Sequence, residues 1–191
     1  MRVIAGSARG RPLRTLPGLE VRPTLDRVRQ GVFSSLGERV RGAVVLDLFA
    51  GSGAVGIEAL SRGASQATFV ELSGRCARCL RGNLERCALV EAARILQCDW
   101  RAGVTRLCRG GEVFDLVYVD PPYGRFDELS VLQEVHPLLG PGALLLFEHL
   151  ARRTMPEAGA GFRLTRLMRY GQTSISWYEP VDRVDSPHIG R

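Results

Sequence analysis

Short apolar runs alternate with longer amphipathic segments between Ala43 and His149. The short runs are rich in apolar and β-branched side chains, and between them lie stretches in which apolar residues recur at helical spacing. Strands that alternate with helices predict βαβ units around a parallel sheet covered on both faces. The predicted strands are Val44–Phe49, Gln66–Glu71, Ala93–Gln97, Phe114–Val119 and Ala143–Phe147, and the clearest helices are Arg75–Cys87 and Asp127–Leu138.

Both ends of the chain depart from this alternation. Arg163–Tyr170 and Thr173–Glu179 are separated only by Gly171-Gln172, which predicts an antiparallel hairpin. Near the other end, an amphipathic helix is expected to begin at Pro23 or Thr24, preceded by a small arm or hairpin. We therefore expect a basic arm and helix over residues 1–41, an α/β domain over 42–181 and a flexible tail over 182–191.

The composition is that of an ordinary folded protein. The chain has 191 residues, of which 45% are apolar and 24% charged, enough for one sizeable core. No apolar stretch approaches the ~18 residues of a membrane span, and none resembles a signal peptide, so we expect a cytoplasmic protein with no membrane partner. The five cysteines, including the pair Cys76 and Cys79, are interpreted as reduced structural thiols, and no metal site is expected.

The net charge of +6 is concentrated at the N-terminal end. Residues 1–41 contain nine arginines and three acidic residues, whereas positive and negative charges cancel over residues 42–191. The chain contains no lysine. A basic arm on a neutral body is typical of a protein that binds a phosphate-rich partner, although a solvated charged extension would have the same composition.

A glycine-rich motif follows the first predicted strand of the α/β domain. Gly51 and Gly53 allow the chain to turn sharply and bring backbone N–H groups close to a ligand. With Gly56 they form a G-x-G-x-x-G pattern, and Glu71 ends the next strand, where an acid accepts hydrogen bonds from ribose hydroxyls. This pattern alone leaves a dinucleotide-binding enzyme open.

Neighbouring residues favour a different cofactor. Asp47 lies four residues before Gly51, where its carboxylate would repel a pyrophosphate but would attract an amino group. Asp99 and Trp100 follow the third strand and place an acid and an aromatic ring where an adenine would lie, although Asp99 is equally suited to be a helix N-cap. These residues point to the aminoacyl end and the adenosine of S-adenosylmethionine.

The motif Asp120-Pro121-Pro122-Tyr123 directly follows the fourth predicted strand. The two prolines fix an extended turn and remove two N–H donors, so that hydrogen-bond acceptors remain. Such acceptors suit a planar –NH₂ group, and Tyr123 offers a face for stacking a base, a contact worth ~1–3 kcal/mol. The alternative is an ordinary turn with a buried tyrosine.

Together these motifs resemble those of class I methyltransferases, and specifically of the RsmD-type 16S rRNA guanine-N2 methyltransferases. The glycine motif and Asp120–Tyr123 are typical of enzymes that methylate amino groups. The resemblance narrows to the RsmD type through Arg2–Gly6 with Gly10-Arg11, Arg22–Thr24 with Asp26–Arg29, and Arg169-Tyr170-Gly171.

The resemblance implies a Rossmann-like, mostly parallel seven-stranded sheet that ends in a hairpin, and methyl transfer from S-adenosylmethionine to the N2 amine of a guanine in small-subunit rRNA. Carried over residue by residue, it implies catalytic roles for Asp120, Pro121, Pro122 and Tyr123. The cofactor would be bound by Asp47, Phe49, Gly51, Ser52, Gly53, Glu71, Leu72, Asp99, Trp100 and Asp120. Candidates for RNA contact are Arg9, Arg11, Arg22, Arg27 and Arg29.

Four other functions remain open on the sequence. The main alternative is a DNA adenine-N6 methyltransferase, which uses the same Asp-Pro-Pro-Tyr chemistry but usually carries a separate recognition region. A protein-glutamine methyltransferase would leave the basic arm unexplained. A non-catalytic RNA-binding assembly factor would be expected to have lost part of the motif set, and a dinucleotide oxidoreductase would bind nicotinamide cofactors. We expect a monomer.

Overall fold

In the computed structural model, which describes residues 1–16, 23–122 and 127–181, an eight-stranded mixed sheet is covered by helices on both faces. The strands are β1 (Val44–Leu48), β2 (Gln66–Val70), β3 (Ala93–Leu96), β4 (Phe114–Val119), β5 (Leu139–Leu150), β6 (Ala158–Gly159), β7 (Phe162–Tyr170) and β8 (Thr173–Pro180). The helices are α1 (Pro23–Leu36), α2 (Ala54–Ser61), α3 (Gly74–Cys87), α4 (Trp100–Arg109) and α5 (Glu128–Val135).

The strand order is β3-β2-β1-β4-β5-β8-β7-β6. The first five strands in this order are parallel, whereas β8 pairs antiparallel with both β5 and β7. The chain leaves β1 toward β2 and β3 and then returns to the other side of β1 as β4, so the strand order reverses between β1 and β4. In open α/β sheets, ligands bind beyond the carboxyl ends of the strands at such a reversal.

The expectation of seven strands was wrong by one. The additional strand, β6, has two residues, which pair with Arg163 and Phe162 at the open edge of β7. Two residues are too few to show an alternating pattern, so this strand is defined by its partner. The five predicted strands of the α/β domain and the helix start at Pro23 are confirmed. Residues 182–191, expected to form a tail, lie outside the described residues.

The sheet separates two apolar clusters. On one face, α1, α2 and α3 pack on residues such as Val45, Phe69 and Leu146. On the other face, α4 and α5 pack on residues such as Leu46 and Val117. In the part of the chain that the structure describes, no helix is long and apolar enough to cross a membrane.

The N-terminal arm is part of the first cluster. Arg2 and Pro12 form an antiparallel bridge, and the amide of Val3 donates to the carbonyl of Arg11 at 3.0 Å. Val3 and Leu13 are buried against the same cluster as α1. The first sixteen residues are therefore packed onto the domain by apolar contacts as well as by hydrogen bonds.

Gly31 lets α1 approach the C-terminal hairpin closely. A Cβ atom at Gly31 would lie 2.0 Å from the hydroxyl oxygen of Tyr170 on β7, so no larger residue fits without displacing that ring. Tyr170 belongs to the Arg169-Tyr170-Gly171 turn. The helix α1 and the Arg169-Tyr170-Gly171 turn therefore pack directly against each other.

The buried carboxylate of Glu58 on α2 holds the arm and α1 in place. Its two oxygens accept hydrogen bonds from the amides of Ile4 at 2.8 Å and Ala5 at 3.1 Å. They also face the guanidinium of Arg62 at 2.7 Å and that of Arg29 at 3.6 Å. Glu58 therefore connects the helix that follows the glycine motif to both parts of the N-terminal extension.

We predict that Glu58→Ala lowers the free energy of unfolding by about 3–5 kcal/mol, because it removes the buried carboxylate that faces the Arg29 guanidinium and leaves the amides of Ile4 and Ala5 without their acceptor. Urea denaturation followed by circular dichroism measures this change. The control is Glu38→Ala, which removes the exposed partner of Arg41 and should cost at most about 1 kcal/mol. A loss below about 1 kcal/mol for Glu58→Ala would contradict the role assigned to this carboxylate.

Candidate active site

Five acidic side chains mark the carboxyl edge of the parallel part of the sheet. Each of the strands β1 to β5 carries one near its carboxyl end: Asp47, Glu71, Asp99, Asp120 and Glu148 respectively. The sequence analysis identified the first four. The topology brings all five to one edge because parallel strands end on the same side of a sheet.

The glycine loop between β1 and α2 has an unusual backbone. Gly51 and Gly53 have φ angles of 56° and 79°, which favour glycine. A Cβ atom at Gly53 would also lie 2.0 Å from Cδ1 of Leu80 on α3. Phe49 has a φ of 69°, a strained conformation for a bulky residue and one that clusters at functional sites. The loop is thus held in a shape that brings its backbone close to the carboxyl edge.

Asp47 is buried beneath this loop. Its Oδ2 accepts a hydrogen bond from the amide of Gly56 in the first turn of α2 at 2.9 Å. Burial raises the pKa of Asp47 to about 7, the nearby charge of Glu71 adds to the increase, and the Gly56 hydrogen bond opposes it. A cationic group of a ligand placed beside Asp47 would relieve this unfavourable burial of charge.

Glu71 bridges the glycine loop and the start of α3. Its Oε2 accepts from the amide of Gly51 at 2.7 Å, and its Oε1 accepts from the amide of Ser73 at 2.7 Å. The side chain is half-buried, so lone pairs on both oxygens can also accept from hydroxyl groups of a ligand. This arrangement suits the pair of neighbouring hydroxyls on a ribose.

Apolar and aromatic groups lie beside these acids. The rings of Phe49 and Trp100 have their centroids 5.8 Å apart at an angle of 44°. Leu72 is 68% exposed although it is a large apolar side chain. Asp99 is exposed and caps α4 by accepting a hydrogen bond from the amide of Arg101 at 2.9 Å, so the capping interpretation is confirmed. Phe49 and Leu72 offer contact area to a flat heterocycle, whereas Trp100 is only 3% exposed and supports the ring of Phe49 from within the core.

Asp120 follows β4, on the sheet face that carries Asp47. Its amide donates to the carbonyl of Leu48 on β1 at 3.4 Å, which fixes the start of the turn against the neighbouring strand. Pro121 is buried, whereas Pro122 is exposed. Burial raises the pKa of Asp120 well above its usual value, and the charges of Glu148 and Asp47 contribute further. Tyr123, the fourth residue of this motif, lies outside the described residues.

Glu148 and Tyr118 form a buried pair that the sequence analysis missed. The hydroxyl of Tyr118 on β4 donates to Oε2 of Glu148 on β5 at 2.6 Å. Burial and the Glu148 charge raise the pKa of this hydroxyl well above its usual value, so it remains a donor. A glutamate inside the apolar run Ala143–Leu150 was the available signal, because a buried charge in such a strand requires a partner.

Asn83 on α3 is a second residue that was missed. Its side-chain amide nitrogen donates to the carbonyls of Ser52 and Arg14, both at 2.9 Å, and its oxygen accepts from the amide of Arg14 at 2.9 Å. Asn83 therefore ties the end of the arm to the glycine loop. No spacing in the sequence identifies such a contact.

The arginines that were proposed to contact RNA differ in their exposure to solvent. Arg9 and Arg27 are exposed, and Arg11 is exposed while donating a hydrogen bond to the carbonyl of Arg86. Arg29 requires a correction: it is only 4% exposed, and its guanidinium faces Glu58, Asp26 and the carbonyl of Arg2. This side chain is not accessible to a phosphate, and it stabilises the fold instead. Arg22 lies outside the described residues.

The carboxyl edge of the sheet therefore combines carboxylates, whose oxygens can accept hydrogen bonds from a ligand, with apolar side chains that a ligand can contact. Among residues 1–16, 23–122 and 127–181, no three histidine, cysteine, aspartate or glutamate side chains are grouped to hold a metal ion. A separate cavity of about 410 Å³ lies at the amino ends of β1, β4 and β5. Its lining includes Leu36, Arg39, Arg41, Asp115 and Gly142, far along the strands from the five acids.

Comparison with known proteins identifies the family. A family model described as "Conserved hypothetical protein 95" matches residues 1–179. A relative from Escherichia coli K12, named "Ribosomal RNA small subunit methyltransferase D", is 36% identical over 185 residues, covering 94% of this chain and 89% of the relative. The chain belongs to this family, the RsmD-type methyltransferases. The resemblance deduced from the motifs is thereby confirmed.

Solved structures agree with this assignment. The structure of yhhF from Escherichia coli is 33% identical, covers 95% of this chain and 98% of that one, and superimposes with a TM-score of 0.81. SMU.776, a structure complexed with SAH, is 16% identical with a TM-score of 0.68 over 83% of this chain, which is a likeness of fold. The sheet and helices are thus those of a Rossmann-like methyltransferase fold.

We predict that Asp47→Asn stabilises the cofactor-free protein increasingly as pH rises. Because the folded-state pKa of about 7 exceeds the unfolded value of about 3.9, the stability associated with the protonated form is present below pH 4 and is lost as pH rises through 7. The asparagine variant should therefore gain about 2–4 kcal/mol at pH 8 and little at pH 4, measured by urea denaturation at each pH.

Asp115→Asn is the matched control. Asp115 lies at the opposite end of β4, where its exposed carboxylate accepts a hydrogen bond from the amide of Val44 at 2.8 Å. This variant should show no gain that grows with pH. An equal gain in both variants, or none at pH 8 in Asp47→Asn, would refute the desolvation of Asp47.

Proposed function

We propose that this protein transfers a methyl group from S-adenosylmethionine to the N2 exocyclic amine of a guanine in small-subunit ribosomal RNA. The observation that carries the proposal is the position of Asp120-Pro121-Pro122 at the strand-order reversal, next to the glycine loop and the buried Asp47. A donor of methyl groups and an amine acceptor would meet at this point of the sheet.

The polar and apolar groups at the carboxyl edge of the sheet fit the proposed cofactor. Asp47, buried opposite the Gly56 amide, would bind the ammonium of the aminoacyl end, and Glu71 would accept from the ribose hydroxyls. The N–H groups of the loop Gly51-Ser52-Gly53 would approach the same end of the molecule. Phe49, Leu72, Trp100 and Asp99 would surround the adenine. When bound, the cofactor supplies a methyl group on a sulfonium, which is the electrophile.

The residues of this chain would orient the amine and receive its proton. Asp120 and the carbonyl of Pro121 accept hydrogen bonds from the two protons of the guanine amine, while the prolines present no competing N–H donor. Once the methyl group has been transferred, the amine nitrogen would be acidic and would lose one proton to the Asp120 carboxylate. The raised pKa of Asp120 makes it a better proton acceptor than an exposed aspartate.

The tyrosine of the motif would complete the base pocket. Tyr123 would stack on the target guanine, which must be unstacked or presented in a loop to enter the site. Positioning of this kind accounts for a large part of catalysis when the cofactor carries the reactive group.

The choice of ribosomal RNA rests on the family and on charge. The name of the Escherichia coli relative refers to small-subunit ribosomal RNA. The exposed arginines Arg9, Arg11 and Arg27, together with Arg22, would bind RNA phosphates. No observation favours duplex DNA as the substrate.

We predict that Asp120→Ala reduces methyl transfer by about a hundredfold or more, because it removes the acceptor that orients the amine. Its affinity for S-adenosylmethionine should remain within about threefold of wild type by calorimetry. Asp115→Ala, at the other end of the same strand, should retain both properties. Wild-type turnover in Asp120→Ala would disprove the role of this carboxylate.

The substrate is tested with radiolabelled cofactor and three polymers: small subunits that lack the modification, a 16S rRNA transcript and duplex DNA. Digestion to nucleosides should place the label in N2-methylguanosine from one or both RNA samples. Label in adenosine, in DNA or in no polymer would overturn the proposal.

A further inference from the structure

The solvent-facing side of α3 carries an excess of positive charge, although the net charge of residues 42–191 as a whole is zero. The helix contains four arginines and a single acid, Glu85, for a balance of +3. Arg75, Arg78 and Arg81 recur every three residues and are exposed. The buried side of the helix is formed by Ala77, Leu80, Asn83, Leu84 and Cys87.

These three arginines have no acidic partner among the described residues. Some other surface arginines are paired: Arg94 with Glu112, Arg101 with Glu134 and Arg153 with Glu128, at 2.7–2.8 Å. No ion pair found in the described ranges involves Arg75, Arg78 or Arg81. Their charges are therefore available to an external anion.

The same helix lies directly against the basic arm. Arg11 donates a hydrogen bond to the carbonyl of Arg86, and the Cys79 thiol lies 3.3 Å from the carbonyl of Arg14. Asn83 holds both the amide and the carbonyl of Arg14. The positive side chains of the arm and of α3 thus lie on adjacent segments whose backbones are fixed to each other.

The helix also begins at the active site. Its N-cap is Ser73, whose amide donates to Glu71, the carboxylate that also holds the glycine loop. A polyanion that lay along α3 would therefore pass from the arm to the edge where the acids are grouped. Its charge would be matched by the arginines along the way.

We propose that Arg75, Arg78 and Arg81 of α3 form, together with the arm, a continuous phosphate-binding surface for the RNA strand that carries the target base. This inference rests on the proposed function and adds to it the path of the substrate. An arginine binds phosphate as a permanent charge with several N–H donors, and each neutralised phosphate of a single strand contributes about 0.7 to the salt dependence of binding.

The experiment compares two pairs of substitutions that remove equal charge. Arg78→Gln with Arg81→Gln alters the proposed surface but leaves Arg75, next to the cofactor edge, intact. Arg106→Gln with Arg109→Gln alters two exposed arginines of α4 on the opposite face of the sheet. Filter binding to a 16S rRNA transcript is measured at several salt concentrations, and S-adenosylmethionine affinity by calorimetry.

The α3 pair should weaken RNA binding about tenfold and reduce the slope of log K against log salt by about 1.4, whereas the α4 pair should change neither. Cofactor affinity should be unchanged in both. Arg78→Lys with Arg81→Lys, which keeps the charge, should restore binding. The single variants Arg78→Gln and Arg81→Gln should each lose about threefold in RNA affinity. They replace the double variant in the comparison with the α4 pair if the double variant unfolds at a lower temperature.

Two results with the variants would overturn the inference: α3 variants that bind the transcript within twofold of wild type, or an equal loss in the α4 pair, which would reflect net charge alone. Failure of the proposed function is recognised separately, because the wild-type protein would then leave every RNA sample unmethylated. Tighter binding of wild type to duplex DNA than to the transcript would also exclude this path for RNA.

Discussion

The desolvated carboxylates at the carboxyl edge of the sheet are the constraint on which the site depends. Asp47, Asp120 and Glu148 lie on one face of neighbouring strands. Burial opposes the ionisation of Asp47 and Asp120, and the charges of nearby carboxylates, Glu71 for Asp47 and Glu148 for Asp120, add to this effect. The amide of Gly56 and the hydroxyl of Tyr118 offset part of this cost. A parallel sheet enforces the grouping, since its strands all end on the same side, and the unfavourable charge becomes useful once a cation or an amine is bound there.

Buried polar contacts connect the glycine loop, which lies close to these carboxylates, to the N-terminal arm. Gly51 is held by Glu71, the carbonyl of Ser52 by Asn83, and Glu58 lies on the helix that follows. Through Glu58 and Asn83 the loop is connected to the arm, which carries exposed arginines. The part of the molecule that would bind the cofactor and the part that would bind RNA are therefore joined by buried polar contacts rather than by a linker.

Periodicity predicted the architecture well, and tertiary contacts explain where it failed. The strands around Asp47 and Asp120 are apolar runs whose ends carry glycine or proline, so their positions could be deduced. β5 begins four residues earlier than expected, at Leu139, because Gly140-Pro141-Gly142 interrupts the apolar pattern without ending the strand. Arg29 was misassigned because an arginine on an amphipathic helix has the same spacing whether it faces water or a buried acid such as Glu58.

Glu58 has a consequence for exchanging the N-terminal extension between related proteins. Its two oxygens are shared among the main chain at Ile4 and Ala5 and the side chains of Arg29 and Arg62, so the N-terminal segment is not an interchangeable module. A chimera that exchanged residues 1–41 with those of a distant homologue would have to preserve the geometry of this acid and its cationic partner together. The extension would therefore have to be exchanged together with the helix behind the glycine loop.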